Sequence, residues 1–204
     1  MGMILPQRRP LWLACSPRQG GNCDAVMELV HKTLCGPESS GPQTVFLRDY
    51  TISPCVSCGR CSGQRLACPL FDTDDSKPLL DALYQASALI LAAPVYFYHV
   101  PAQLKALIDR SQPWWMVRDI WNEAPPVRKT AHIILMGARP QGERLFEGAL
   151  LSLRYWLDLF GYDLADPLTL YGLDGPDAFR KNAARQERVA SYAAAIKAAI
   201  SRGE

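Results

Sequence analysis

Short apolar runs alternate along this chain with longer segments in which apolar residues recur at helical spacing. The run at 88–93 is apolar throughout, which is typical of a strand buried on both faces of a parallel sheet. In the segment after the first run, Val26, Leu29, Val30 and Leu34 follow one face of a helix. The pattern predicts five strands, at 11–15, 44–47, 88–93, 132–136 and 168–171, and five helices, at 23–34, 78–85, 102–111, 143–159 and 178–200.

Regular alternation of strands and helices is typical of a parallel sheet covered by helices on both faces, a doubly wound α/β sandwich. The 204 residues are enough for one such domain with a single core. We therefore expect a short N-terminal tail at 1–10 and a single domain at 11–204. An insertion at about 50–77 within this domain carries four of the seven cysteines.

The polar loop between the first strand and the first helix predicts an anion site. Its backbone N–H groups and the helix N-terminus would converge on one point, which favours a phosphate. The loop is neither G-x-G-x-x-G nor a P-loop, because no lysine stands at its end. An ordinary turn with helix-capping residues is the alternative. The residues placed to contact a phosphate are Ser16, Arg18, Gly21, Asn22 and Cys23.

Two further loops are expected to meet the first one. With a phosphate loop after the first strand, the flavodoxin-like strand order 2-1-3-4-5 follows, and it gathers ligand-binding loops at the carboxyl ends of the strands. The loop at 94–99 is aromatic and suits a flat heterocycle; the alternative is that its aromatic residues serve core packing and a partner interface. The loop at 137–142 has glycines that allow close backbone approach, and its arginine would stabilise an anionic reduced ring or simply lie at the surface. The predicted contacts are Pro94, Val95, Tyr96, Phe97, Gly137 and Arg139.

Four cysteines form the pattern C-x2-C-x2-C-x6-C, at Cys55, Cys58, Cys61 and Cys68. Three thiolates at three-residue steps can surround one [4Fe–4S] cluster, and bacterial ferredoxins use a similar run that ends in Cys-Pro. Structural zinc more often uses two separated pairs of ligands. The spacing therefore favours a cluster, while zinc and free thiols stay open. The number of cysteines is odd, which does not indicate a disulfide framework. Free thiols of this kind suit a reducing compartment.

Charge and hydropathy narrow the classes of partner. The formal net charge is +2, and the basic residues are scattered, so we expect no nucleic-acid partner. No apolar run is long enough to cross a bilayer, and the first ten residues lack the apolar segment of a secretory signal. We expect a cytoplasmic protein without membrane association.

Three motifs taken together resemble the NADPH-dependent FMN reductase superfamily. They are Ser16-Pro17-Arg18 with Gly21-Asn22, the stretch Ala93–Phe97, and Gln103–Arg110. The resemblance implies a flavodoxin-like three-layer sandwich that binds FMN, with the first loop on the phosphate and residues 94–97 on the isoalloxazine. The chain departs from the family in having Cys15-Ser16 where Gly-Ser is common, and Cys23 where a hydroxyl residue is common; a thiol is the weaker hydrogen-bond donor.

The cysteine pattern resembles that of the iron–sulfur flavoproteins, a branch of the same superfamily whose fourth cysteine follows after a slightly shorter gap. This implies an FMN-dependent oxidoreductase in which FMN and a [4Fe–4S] cluster exchange electrons with a small-molecule or protein acceptor. The donor would be NAD(P)H or a ferredoxin-like protein, and the chain would form a homodimer or homotetramer. No catalytic side chain is required, because the flavin carries the chemistry. Two other hypotheses stay open: a cluster-free NAD(P)H-dependent FMN or quinone reductase, and a non-catalytic redox-sensing module.

Overall fold

The computed structural model describes residues 9–36, 43–123, 125 and 127–202, so most of the predicted tail at 1–10 lies outside the described residues. The strands are β1 (Leu11–Ala14), β2 (Thr44–Phe46), β3 (Ala88–Pro94), β4 (Lys129–Met136), β5 (Tyr162–Leu164) and β6 (Leu168–Leu170). The helices are α1 (Asn22–Cys35), α2 (Ser76–Gln85), α3 (Ala102–Asp109), α4 (Gln112–Trp115), α5 (Glu147–Asp158) and α6 (Ala183–Arg202). A π-helical turn, Met116–Ile120, extends α4.

All strands of the sheet pair in parallel, in the order β2-β1-β3-β4-β5, with β6 also on β4. The register aligns Leu13 of β1 with Leu91 of β3, and Leu91 with Ile133 of β4. This arrangement confirms the predicted flavodoxin-like order 2-1-3-4-5. It also brings the loops that follow β1, β3 and β6 to one edge of the sheet.

The fifth position of the sheet is occupied by two short strands, whereas the sequence predicted one strand at 168–171. β5 pairs with the first half of β4, and β6 pairs with its second half. Pro167 stands immediately before β6 and has no N–H to give to the ladder. The strand is therefore interrupted at Pro167, because this residue has no N–H group to donate to β4. β5 itself was missed, because its three residues are centred on the exposed Asp163.

Side chains of the central strands alternate between two apolar layers, as the period of two in a strand requires. Leu13 of β1 and Cys15 directly after it face the layer formed with α2, α3 and α5, while Trp12 and Ala14 face the layer formed with α1 and α6. β3 and β4 alternate in the same way. Within the described residues, no helix is both long and apolar enough to cross a bilayer.

Lys129, the first residue of β4, caps the C-terminus of α2. Its ammonium group donates hydrogen bonds to the carbonyl oxygens of Leu83, Tyr84 and Ala86 at 3.1, 2.6 and 3.0 Å. Burial lowers the pKa of Lys129 to about 8, so the amine is still mainly protonated at pH 7 and carries three hydrogens to donate. The lysine thus satisfies carbonyl groups that the helix itself leaves open.

Replacing Lys129 by methionine is expected to destabilise the fold by about 2 kcal/mol, because the aliphatic stem is kept but three carbonyls lose a charged donor. For a domain of this size that corresponds to a loss of roughly 4–8 °C in thermal midpoint. Lys77→Met is the matched control, since Lys77 is half-exposed and pairs with Asp81 one helical turn away. Its cost should stay below about 0.5 kcal/mol. Equal thermal midpoints for the two variants would contradict the capping role.

Candidate cofactor site

The loop after β1 ends at an uncapped helix N-terminus. Gly21 occupies the N-cap position of α1, and no side chain there bonds to the first turn. The N–H groups of Asn22, Cys23 and Asp24 have no hydrogen-bond acceptor in the part of the chain that the structure describes. Groups of this kind need an acceptor from outside the helix, and together with the helix dipole they favour an anion.

Hydrogen bonds inside the loop hold it in shape. The hydroxyl of Ser16 accepts the N–H of Arg18 at 3.1 Å, and Asp24 accepts the N–H of Gly20 at 2.8 Å. Asp24 is a buried carboxylate in the first turn of α1 and would by itself repel a bound anion. Arg48 pairs with it at 2.9 Å and neutralises that charge. The loop is therefore fixed in place and still electrostatically open to an anion.

A cleft of about 510 Å³ opens in front of this helix N-terminus. The loops after β1, β3, β4 and β6 contribute its walls, so the cleft lies at the carboxyl edge of the sheet where ligands bind in doubly wound folds. The predicted contacts that line it are Ser16, Arg18, Gly21, Asn22, Cys23, Pro94, Val95 and Tyr96, and the further lining residues are Met136, Ala138, Leu173, Asp174, Gly175 and Pro176.

The aromatic segment after β3 forms a tight two-residue turn. Tyr96 and His99 exchange backbone hydrogen bonds of 2.9 and 3.0 Å. Phe97 and Tyr98 between them have φ angles of +49° and +63°, a left-handed conformation that large side chains rarely adopt. The side chain of Phe97 is 99% exposed. A strained turn that presents an aromatic ring to solvent beside a cleft is typical of a binding site rather than of core packing.

The cysteine-rich connection runs from β2 to α2 without long regular elements. Cys55 and Cys58 are exposed, while Cys61 and Cys68 are half-buried. Burial, together with the nearby charges of the other three cysteines, raises the pKa of the Cys61 thiol. The four thiols of this connection fit the donor set of an iron–sulfur cluster, although in the described chain no three of them stand in the geometry of a metal site.

The two ends of this connection are tied together by the buried carboxylate of Asp74. It accepts the N–H of Ser53 at 2.9 Å and the hydroxyl and N–H of Ser76 at 2.6 and 3.0 Å, and it pairs with the guanidinium of Arg110. Burial alone would raise the pKa of Asp74, but hydrogen bonds from Ser76, Ser53 and Arg110 hold it below its ordinary value. The base of the cysteine connection is therefore rigid even though the connection itself is irregular.

Comparison with known proteins agrees with this geometry. The sequence model of the NADPH-dependent FMN reductase family matches residues 9–161. The chain belongs to this family. It is a flavin-dependent oxidoreductase, so the hypothesis of a non-catalytic redox-sensing module is not carried forward.

The iron–sulfur flavoproteins are the branch of the FMN reductase family to which the chain is similar. It is 31% identical to an iron-sulfur flavoprotein of Methanosarcina thermophila over 146 residues, 72% of this chain and 71% of the relative. It is 39% identical to an iron-sulfur flavoprotein of Methanocaldococcus jannaschii over 100 residues, 48% of this chain and 49% of that protein. The second alignment thus spans less than half of the relative's length.

Solved structures share the fold. An NAD(P)H:quinone oxidoreductase from Methanothermobacter marburgensis superimposes with a TM-score of 0.65 at 16% identity, covering 93% of this chain and 99% of that one. The azoreductase AzrA gives 0.62 at 15% identity, covering 92% and 99%. At this level of identity the likeness concerns the fold alone.

Within this FMN reductase fold, Arg18 is the cation available to a bound anion. Its side chain is exposed, and its guanidinium has no hydrogen-bond or ion-pair partner among the described residues. Its aliphatic stem folds back over Gly21, where an added Cβ would lie 3.2 Å from Cδ of Arg18. Glycine at this position therefore lets the arginine approach the helix N-terminus.

Asn22 and Cys23 line the cleft, but their polar side-chain groups are committed elsewhere. The amide of Asn22 donates to the carbonyl oxygens of Leu173 and Gly175 at 3.2 and 2.8 Å and accepts the N–H of Phe179 at 2.9 Å. The thiol of Cys23 donates to the carbonyl of Ala92 at 3.2 Å, and burial raises its pKa to about 12. Both residues are therefore placed to serve an anion through their backbone N–H groups.

The loop after β6, residues 173–176, is the part of the cleft that the sequence did not predict. Its side of the cleft contains the carboxylate of Asp174, and Asn22 fixes the loop through the two carbonyl contacts above. A signal was available, because Asp174-Gly175-Pro176 is a turn sequence. It directly follows a predicted strand and so falls at the same edge of the sheet as the other loops.

Three predicted contacts lie outside the lining of the cleft: Phe97, Gly137 and Arg139. Gly137 packs so closely against Leu145 that an added Cβ would lie 2.7 Å from its side chain. Arg139 donates to the hydroxyl of Tyr98 at 3.2 Å and thereby supports the aromatic turn. Their contact with a cofactor stays a prediction.

Replacing Phe97 by asparagine is expected to leave the free energy of unfolding unchanged or to raise it by up to about 1 kcal/mol, because asparagine tolerates the left-handed conformation. Binding of FMN should weaken, since an aromatic surface is lost beside the cleft. Tyr155→Asn is the control: Tyr155 is also exposed, but it lies inside α5. A thermal midpoint for Phe97→Asn below that of Tyr155→Asn would show that Phe97 serves the fold.

Proposed function

We propose that the chain is an FMN-dependent electron-transfer oxidoreductase of the iron–sulfur flavoprotein type, built as a single domain at 11–204. The observation that carries the proposal is the uncapped N-terminus of α1, which opens into a cleft beside the guanidinium of Arg18, a group without a partner in the described part of the chain. This arrangement supports binding of the FMN phosphate by the backbone of residues 16–23. The ring system would then lie against Pro94, Val95 and Tyr96.

The charges of the cleft favour a monophosphate with a hydroxylated chain. One helix N-terminus and the arginine that lines the cleft, Arg18, suit a single phosphate. The carboxylate of Asp174 on the cleft wall can accept hydrogen bonds from hydroxyl groups and would repel a second phosphate. FMN combines one phosphate with a polyol chain and thus matches this distribution better than a dinucleotide does.

When bound, FMN would supply the two-electron chemistry and a [4Fe–4S] cluster single-electron exchange. The chain's own residues contribute position and electrostatics. Pro94 and Val95 shape an apolar wall, the N–H groups of α1 fix the phosphate, and Cys55, Cys58, Cys61 and Cys68 are the thiolates that would hold the cluster.

We further propose a homodimer or homotetramer in which a neighbouring chain covers the aromatic turn. Phe97 in the turn and Leu151 and Tyr155 of α5 are exposed, and His99 in the turn contacts Ser152 of α5 at 2.8 Å. Exposed apolar side chains favour association where they form a patch. The reduced thiols of the cysteine motif suit a cytoplasmic location.

A cluster-free NAD(P)H-dependent FMN or quinone reductase is the second candidate, favoured by the absence of a preformed metal geometry among the described cysteines. Anaerobic reduction of the FMN-loaded protein separates the two candidates. The first predicts that a ferredoxin-like one-electron donor bleaches the flavin faster than NADH or NADPH does. Sustained turnover with NAD(P)H and a quinone, without iron in the protein, would favour the second.

A further inference from the structure

Arg110 follows α3 and is buried beneath the cysteine connection. The side chains of Arg110 and of its ion-pair partner Asp74 are both 0% exposed. A buried ion pair is not a strong source of stability, because desolvation offsets much of the attraction between the charges. Stability alone therefore does not explain why these two charges are buried here.

The guanidinium of Arg110 is hydrogen-bonded to a cysteine of the four-cysteine motif. One terminal nitrogen, Nη1, donates to the carbonyl of Ser53 at 3.0 Å and to Asp74. The other, Nη2, donates to Sγ of Cys68 at 3.6 Å. The remaining nitrogen, Nε, is buried without an acceptor among the described residues. A buried donor without an acceptor is unfavourable, so this guanidinium has hydrogen-bonding capacity that the described protein atoms do not use.

Cys68 in its thiol form is a poor match for such a donor. A neutral thiol is a weak acceptor, whereas a thiolate or a cluster-bound sulfur carries negative charge and accepts strongly. The rest of the environment holds the arginine still, because Asp74 is itself fixed by Ser53 and Ser76, and the guanidinium lies 5.3 Å from the ring centre of Phe71. A rigid cation that donates to one sulfur through Nη2 and keeps Nε without an acceptor among the described residues matches an anionic, sulfur-rich group at Cys68.

We propose that Arg110 is a positioning residue that holds Sγ of Cys68 for the [4Fe–4S] cluster and raises the reduction potential of that cluster. The inference rests on the proposed function, because it requires a cluster at the four cysteines. Reduction adds one electron to the cluster, and a nearby positive charge and a hydrogen bond to a ligand sulfur both stabilise the reduced form. No proton has to leave Arg110 in this step.

The test is an anaerobic redox titration of the whole protein, followed by electron paramagnetic resonance. The double variant R110M/D74N removes the donor together with its partner charge, so that no buried carboxylate is left unpaired. Arg110→Lys keeps the positive charge but loses the forked donor, and it provides the answer if the double variant does not fold. Arg65→Gln is the matched control, because Arg65 lies inside the cysteine motif but directs its guanidinium to the exposed Glu123.

We expect iron and acid-labile sulfide at wild-type levels in all folded variants. The potential should shift to more negative values in R110M/D74N, because the hydrogen bond to Sγ of Cys68 is lost while the opposite charges of Arg110 and Asp74 are removed together. The shift should be smaller in Arg110→Lys, and each shift should be several times that of Arg65→Gln. Full iron content with an unchanged potential in R110M/D74N and Arg110→Lys would overturn the role of Arg110 while leaving the cluster in place. Absence of iron and sulfide from the wild-type protein would overturn the proposed cluster, and this inference with it.

Discussion

Replacing Cys58 by serine is expected to remove the cluster and to leave FMN bound. A [4Fe–4S] cluster needs four thiolate ligands, and a serine hydroxyl is a poor substitute. Iron should fall from about four atoms per chain to less than about one, with a parallel loss of acid-labile sulfide. Cys58 is exposed and lies outside the apolar layers, so the thermal midpoint of the apoprotein should be unaffected. Iron, sulfide and flavin are measured on the same anaerobic sample.

Cys35→Ser is the control for this experiment. Cys35 is half-buried at the last residue of α1 and lies outside the four-cysteine motif. It should retain iron, sulfide and flavin at wild-type levels. Iron and sulfide at the wild-type level in Cys58→Ser would instead show that Cys58 is not a ligand of the cluster, which would contradict the four-cysteine site.

Replacing Asn22 by aspartate is expected to weaken FMN binding about 100-fold. The new carboxylate lacks the two amide hydrogens given to the carbonyls of Leu173 and Gly175. It also places a negative charge at the helix N-terminus where the phosphate is proposed to bind. Repulsion between this charge and the phosphate, together with displacement of the loop after β6 that the two hydrogen bonds held, should cost about 3 kcal/mol of binding free energy, which corresponds to roughly two orders of magnitude in Kd. Titration of apoprotein into FMN, followed by flavin fluorescence, measures the change.

Asn182→Asp makes the same chemical change outside the cleft. Asn182 accepts the N–H of Arg185 through its side-chain oxygen at 3.0 Å before α6, and aspartate keeps that capability. Its Kd for FMN should stay within about twofold of the wild-type value, which is less than about 0.5 kcal/mol. Similar FMN affinities for Asn22→Asp and Asn182→Asp would place the phosphate away from the N-terminus of α1.

The sheet could be predicted because its signals are local. The apolar run of β3 and the strand–loop–helix boundary at Ala14–Asn22 indicate a parallel α/β fold in few residues, and the strand order followed from them. The split of the fifth strand could not be predicted from hydropathy, since it depends on the missing N–H of Pro167 and on pairing with opposite halves of β4.

The candidate site also has one part that local signals predict and one part that depends on long-range contacts. Its backbone part, the loop before α1, was predicted because helix termini and glycines have general behaviour. The directions of side chains were not, because they depend on partners far away in sequence. Cys23 donates to the carbonyl of Ala92, and Asn22 holds the loop after β6. Arg110 was part of a recognised motif, but its contact with Cys68 became visible only in three dimensions.

The central claim is that FMN and an iron–sulfur cluster share this one domain. One absorbance spectrum of anaerobically purified protein, with iron and acid-labile sulfide assayed on the same sample, tests it most directly. The account predicts flavin bands together with about four irons and four sulfides per chain. Dithionite should bleach the absorbance of both the flavin and the cluster. Flavin bands without iron or sulfide would contradict the cluster, and a colourless protein that fails to take up added FMN would contradict the phosphate site at the N-terminus of α1.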